Sequence, residues 1–256
     1  MIEVVVIVES RADAITATKL AERVLVEKVD WLEQESLEHV LKWSGLEVGT
    51  EHSCWKDTGD IIDRAKKAGI PMPRFLGHGK TGSLKADGAA AMKIMNLIKL
   101  LHLKEHRKIA AVLFIRDLDN QSERRRGIEQ ARSEHEDRQP QIEIIIGTAD
   151  RMREAWVLNG FIPLDLEEKR ILAQLKTKLT FAPCEEAHRL RDDPGEDRNP
   201  KLVVRKLTGG DIIREQHCWE ETDLEILRVR GANTGLREYL KEVEQRLVSI
   251  LDRADL

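Results

Sequence analysis

Residues 110–126 read AAVLFIRDLDNQSERRR: an apolar run to Ile115, an arginine, then two aspartates one residue apart. The run has the length and composition of a β-strand covered on both faces, which belongs in a parallel sheet. Charge set directly behind such a strand needs a reason. Taken alone, Asp117 and Asp119 would serve as turn formers or a helix cap. Taken together, they are also two hard oxygen ligands at a strand's carboxyl end.

The same pattern recurs on either side. Residues 2–8 (IEVVVIV) form a largely β-branched run, and residues 12–29 follow with apolar residues at helical spacing. A third strand is expected at 142–146. Helices are expected at 33–43, 58–68, 86–103, 122–136, 151–158, 166–179 and 234–251, with a short strand and a glycine-rich loop in 71–88. Residues 191–200 (RDDPGEDRNP) read as a mobile polar loop. This alternation predicts an α/β protein with a Rossmann-like parallel sheet flanked by helices over residues 1–160, and a helical C-terminal extension, 161–256, packed on it.

Composition narrows the function. The 256 residues are 41% apolar and 34% charged with a net charge of -4, which argues against a bulk polyanion binder and leaves room for a local basic patch. Cys54, Cys184 and Cys218 are odd in number and scattered, so no disulfide framework is expected and a reducing cytoplasm fits. The opening MIEVVVIVES lacks the basic start and cleavage site of a signal peptide, and no apolar run is long enough to span a membrane. The expectation is a soluble, cytoplasmic protein.

In a parallel sheet, ligands gather outside the carboxyl ends of the strands. Glu9 closes the first strand, Asp117 and Asp119 the second, and Asp150 and Glu154 follow the third. Asp13, four residues after Glu9, shares a helix face with it if the helix begins at Ser10. Such carboxylates repel one another unless a cation neutralises them, and hard oxygens select magnesium, manganese or calcium over zinc. Each position has a plainer use by itself: Asp13 and Asp150 as helix caps, Glu154 as helix surface.

The segment VVVIVESRADAITATKLA, residues 4–21, resembles the glutamate motif of the Toprim fold, and AAVLFIRDLDN resembles that fold's h-h-h-D-x-D motif, where h is apolar. The likeness covers residues 1–160. Ser10 stands where Toprim proteins usually carry glycine, a departure that stand-alone relatives and those of overcoming-lysogeny-defect (OLD) type tolerate better. REAWVLNG, residues 153–160, resembles a segment of small phage-defence Toprim proteins. The resemblance implies a magnesium- or manganese-dependent nuclease that hydrolyses phosphodiester bonds by a two-metal mechanism. By position, Glu9, Asp117 and Asp119 would hold the first metal and be catalytic, and Asp13 with Glu154 would hold the second. Lys201, in NPKLVVRKL, would meet the charge developing on phosphorus. The implied substrate is nucleic acid, DNA ahead of RNA, in phage defence or repair, beside a separately encoded ATPase, with no membrane and with self-association left open.

Other Toprim chemistries fit less well. A topoisomerase needs a tyrosine nucleophile, and Tyr239 lies inside a helix with structural spacing. No CxxC supports the zinc elements of primases or RecR-type proteins. GHGKTGSLKADG, residues 77–88, fails as a P-loop because Arg74 stands where the first glycine is required. Its Lys80 and Lys85 could still hold a nucleic-acid phosphate. So could Arg124, although Arg124, Arg125 and Arg126 must point in different directions on a helix. Two rivals remain. One is a Toprim-fold interaction or regulatory subunit of an ATPase complex with little activity alone, which the acidic charge favours. The other, a haloacid-dehalogenase-type phosphatase, requires its D-x-D on the first strand.

Overall fold

The computed structural model describes residues 1–72, 78–79, 82–104, 107–136, 141–191 and 197–253. Strand β1 (Ile2–Val8) leads into helix α1 (Arg11–Lys28), and a short helix α2 (Leu37–Val40) runs directly into β2 (Leu41–Ser44). Then come β3 (Ser53–Cys54), α3 (Thr58–Lys67), the two-residue partners β4 (His78–Gly79) and β5 (Gly82–Ser83), and α4 (Gly88–Lys104). Strand β6 (Ile109–Asp117), α5 (Glu123–Ser133), β7 (Glu143–Ala149) and α6 (Glu154–Gly160) complete the alternating part. Helices α7 (Leu166–Leu179), α8 (Pro200–Thr208), α9 (Ile212–Glu220), α10 (Leu224–Arg230), α11 (Leu236–Glu242) and α12 (Val248–Arg253) follow. The fold is therefore α/β, a parallel sheet in the order β2-β1-β6-β7 with β3 also on β1.

Both faces of this sheet are covered, which is why β1 and β6 read as near-continuous apolar runs. Along β1, Val4, Val6 and Val8 join one core with α1, α6 and the C-terminal helices, while Val5 and Ile7 join a second core with α3, α4 and α5. The C-terminal extension is the cover of the first face. Tyr239 of α11 stacks on Trp156 of α6 at 5.1 Å and donates its hydroxyl hydrogen to the Ala17 carbonyl at 2.7 Å. Fully buried, it is a core residue and has no access to a DNA phosphate. No helix among the described residues is long and apolar enough to cross a membrane.

One expected element changes type. The 33–43 segment offers Leu37, Val40 and Leu41 at helical spacing, yet it is helical only to Val40, as a 3-10 turn (Gln34–Ser36) running into Leu37–Val40, and Leu41–Ser44 is a strand. Residues 41–44 pair in parallel with Ile2–Val5, and that ladder satisfies the backbone of an otherwise open edge. The helix expected at 151–158 begins at Glu154, because Arg151 takes a left-handed φ of 72° and breaks the turn before it. Helices α8, α9 and α10 had no counterpart in the sequence reading. Much of the expected polar loop, residues 192–196, lies outside the described residues.

The two parts meet where α11 begins. Gly235 has φ +79°, and a Cβ there would lie 1.9 Å from the Thr148 carbonyl oxygen. Next to it, the Thr234 carbonyl accepts from the Asp150 amide at 2.9 Å and from Trp156 Nε1 at 2.8 Å. Gly235→Ala should cost about 2–3 kcal/mol of stability, combining left-handed strain with a backbone clash. Urea denaturation checks this, and a loss below about 0.5 kcal/mol would mean the close approach is not sustained in solution.

Candidate functional site

Strands β1 and β6 are parallel neighbours, so their carboxyl ends open on the same edge. Glu9 follows β1 by one residue, and its Oε1 accepts from the Asp117 amide at 3.3 Å. The chain beyond β6 stays knitted to the chain beyond β7: the Leu118 amide donates to Ala149 O at 2.9 Å and the Asp119 amide to Arg151 O at 3.2 Å. This holds Asp119 and Asn120 at φ 44° and 63°, left-handed conformations tolerated by Asp and Asn, and turns the second aspartate back toward the sheet edge.

Asp13 comes to the same place from α1. Ser10 is the N-cap of that helix, and Asp13 is its reciprocal partner, accepting from the Ser10 amide at 2.7 Å and the Ser10 hydroxyl at 2.8 Å. Glu154 enters from the first turn of α6.

Electrostatics identify the centre. Burial raises Asp117 to about 8, with the charges of Asp13, Glu9, Glu154 and Asp119 adding to the rise in that order. Asp13, Glu9, Glu154 and Asp119 thus all lie within electrostatic reach of Asp117. Glu9 is also raised, first by burial, against the opposing pull of Arg116. No hydrogen bond or ion pair reaches the Asp117 carboxylate among the described residues, whereas each of the other four has an arginine near it.

Those arginines fall into two groups. Arg116, the residue before Asp117, pairs with Glu9 at 2.6 Å and with Asp87 at 2.7 Å, its guanidinium lying over the Trp55 ring. Arg124 pairs with Asp119 at 2.7 Å and donates to the Asp117 backbone carbonyl at 2.7 Å. On the other side, buried Arg153 pairs with Glu215 of α9 at 2.7 Å and stands 3.6 Å from Glu154 and 3.7 Å from Asp13.

Asp87, Arg116, Arg153 and Glu215 were missed by sequence reasoning. Arg116 and Arg153 had a signal, since each stands beside a predicted carboxylate. Asp87 and Glu215 had none, because only tertiary packing brings them in. Asp87 is placed by a glycine contact: a Cβ on Gly127 of α5 would lie 2.0 Å from Ala86 O and 2.7 Å from Gly88 N, so α5 seats directly on the turn that carries Asp87.

The other predicted residues lie apart from this cluster or are engaged within it. Lys201 is exposed on the first turn of α8 and makes none of the cluster's ion pairs. Lys85 pairs with Glu123 at 2.8 Å, and Lys80 lies outside the described residues. Arg124 is turned onto the carboxylates, Arg125 onto Glu129 and Thr148, and Arg126 onto Glu123, the divergence expected of consecutive helical positions. Cys54, Cys184 and Cys218 are free thiols.

The donor set is all hard oxygen, which suits magnesium or manganese. Among the described residues, however, no group of three His, Cys, Asp or Glu side chains is gathered closely enough to hold a metal ion. Glu9 and Asp119 are held by arginines instead, and a cation would have to draw them off toward Asp117. No family model matches the chain, and no curated protein or solved structure matches it.

A proton-linked consequence follows from Asp117. Its folded value is raised, so the folded chain keeps a proton that the unfolded chain releases near pH 4. Stability therefore falls as pH rises from about 4 to about 8, and the full penalty is present above pH 8. In the absence of divalent cations, Asp117→Asn should stabilise the protein at pH 8.5 by on the order of 1–3 kcal/mol and leave it nearly unchanged at pH 4.5. Thermal unfolding at the two pH values checks this. Equal effects at both would show that Asp117 is compensated in solution.

Proposed function

We propose that the carboxylate cluster at the edge of the sheet is the site of a magnesium- or manganese-dependent nuclease, hydrolysing phosphodiester bonds of DNA or RNA. The observation that carries this reading is Asp117: a partly buried carboxylate among four others, without a cation of its own, on a rigid strand end. That arrangement is costly in isolation and becomes favourable when a divalent cation enters. The order of the motifs, glutamate after β1 and D-x-D after β6, agrees with the Toprim resemblance. We extend that resemblance to OLD-like stand-alone nucleases acting in phage defence.

Glu9, Asp117 and Asp119 would hold the cation, with Asp13 and Glu154 as the neighbouring carboxylates. A divalent cation at such a site supplies Lewis acidity toward a phosphoryl oxygen and acidifies water. The chain's own contribution is placement. Strands β1 and β6 fix two of the ligands, the Asp119–Asn120 turn fixes the third, and Asp117 gives up its proton when positive charge arrives. In the overall reaction the water oxygen bonds to phosphorus, the bond from phosphorus to the sugar oxygen breaks, and that oxygen takes up a proton. Lys201, Lys85 and Lys80 remain proposed contacts to the nucleic-acid backbone, and the free thiols suit a cytoplasmic setting.

The arginines favour a second reading. Arg116 and Arg124 leave Glu9 and Asp119 neutralised, as befits an interaction or regulatory subunit of an ATPase complex with little activity alone. Incubation of the purified chain with single- and double-stranded DNA and RNA, with and without Mg2+ or Mn2+, separates the two. The nuclease reading expects metal-dependent cleavage that drops at least about 100-fold in Asp117→Asn and Glu9→Gln with folding intact, about 3 kcal/mol of lost transition-state stabilisation. Undiminished cleavage in both variants would overturn it, and absence of cleavage on every substrate would select the regulatory subunit.

A further inference from the structure

Five large aliphatic side chains stand in solvent on two short segments that the fold holds together. Ile162, Leu164 and Leu166, where the chain passes from α6 into α7, are 38%, 63% and 83% exposed. Ile212 and Ile213, at the start of α9, are 72% and 63% exposed. Arg214 joins the two segments: it donates to the Ile162 carbonyl at 2.7 Å and to Glu168 at 2.6 Å, while Glu168 accepts from the Leu164 amide at 2.7 Å. This ion pair is largely covered, and its guanidinium lies over the Phe161 ring at 4.6 Å. The aliphatics therefore sit on a fixed base and share one face. Elsewhere among the described residues, exposed large apolar side chains such as Val48 and Val229 fall one to a segment.

Local structure gives no reason for them. Asp165 and Asp211 cap α7 and α9 by accepting from the Glu168 and Ile213 amides, and a capped first turn favours acidic residues or proline over leucine and isoleucine. Several hundred Å2 of contiguous aliphatic surface left in water marks an interface. Its chemistry says with what. Interfaces between identical chains are more apolar at their centre than transient ones, as this face is. The rim carries both signs, Asp165, Glu167 and Asp211 beside Lys169 and Arg170. A partner of one charge would meet repulsion somewhere along it, whereas a second copy turned about a twofold axis can oppose acid to base. A stable interface covers about 800 Å2 on each partner, and five aliphatics with this rim supply an area of that order. We infer that this face is the interface of a homodimer, in which the starts of α7 and α9 of one copy pack on those of the other. Because Glu215, two residues after Ile213, holds Arg153, the second copy packs beside the helix that balances the carboxylate cluster and takes no carboxylate from it.

Sedimentation of the purified full chain between about 1 and 50 μM tests this, a range over which a stable dimer stays associated. Twice the chain mass is expected. Leu166→Glu and Ile213→Glu are each expected to weaken association at least about 100-fold, since a carboxylate would then be buried at the centre of the face. Both variants should fold, because the side chains they replace are in solvent and glutamate suits the first turn of a helix. Val48→Glu, at an exposed residue outside the face, is expected to leave the dimer intact. A chain that stays monomeric throughout the range would overturn the inference. So would a dimer indifferent to both Leu166→Glu and Ile213→Glu, which would place the contact elsewhere. A monomer that instead binds phosphatidylcholine vesicles through these residues would assign the face to lipid and overturn the second copy as well. Each of these outcomes leaves the nuclease reading to its own cleavage assay.

Discussion

The parallel pairing of β1 with β6 is the constraint on which the rest depends. Because the two strands run side by side and end together, Glu9 lies over the Asp117 amide, and like charges are forced into one partly buried space. The surrounding structure answers with arginines: Arg116 from the strand, Arg124 from α5 and Arg153 from the turn before α6. Among the described residues Asp117 is left without one, and burial first, then the four neighbouring carboxylates, raises its pKa.

The C-terminal helices look dispensable to a site built at the ends of strands, and they are not. Tyr239 and Trp156 close the first face of the sheet, and the Thr234–Gly235 turn ties α11 to the end of β7. Glu215 of α9 then reaches Arg153, so a segment more than fifty residues beyond Glu154 in sequence sets the charge on one side of the cluster. On the opposite side the Gly127–Gly88 contact does a similar service for Asp87 and Arg116. In both cases the direct neighbours of the carboxylates are positioned by packing well away from them.

Much of this was legible in the residues. Runs of β-branched and apolar residues with charge directly behind them gave the parallel sheet, since only strands covered on both faces can be apolar throughout. The carboxylates Glu9, Asp13, Asp117, Asp119 and Glu154 could be grouped because strand ends in such a sheet share an edge. Leu41–Ser44 was misread for a physical reason: its apolar spacing suits a helix, and only the open edge of β1 makes it a strand. Lys201 was offered as a partner for phosphate, yet its exposed place on α8 gives it no part in the cluster's ion pairs.

By itself, then, the sequence determined where the carboxylates are set: Glu9 behind β1 and the D-x-D pair behind a later strand of the same parallel sheet. Tertiary structure alone decided how that charge is balanced. Which arginine meets which carboxylate depends on burial, on an aromatic face and on partners from distant helices: Arg116 over Trp55, Arg124 from α5, and Arg153 over Trp219 against Glu215. Those properties belong to packing, and no local spacing of residues encodes them.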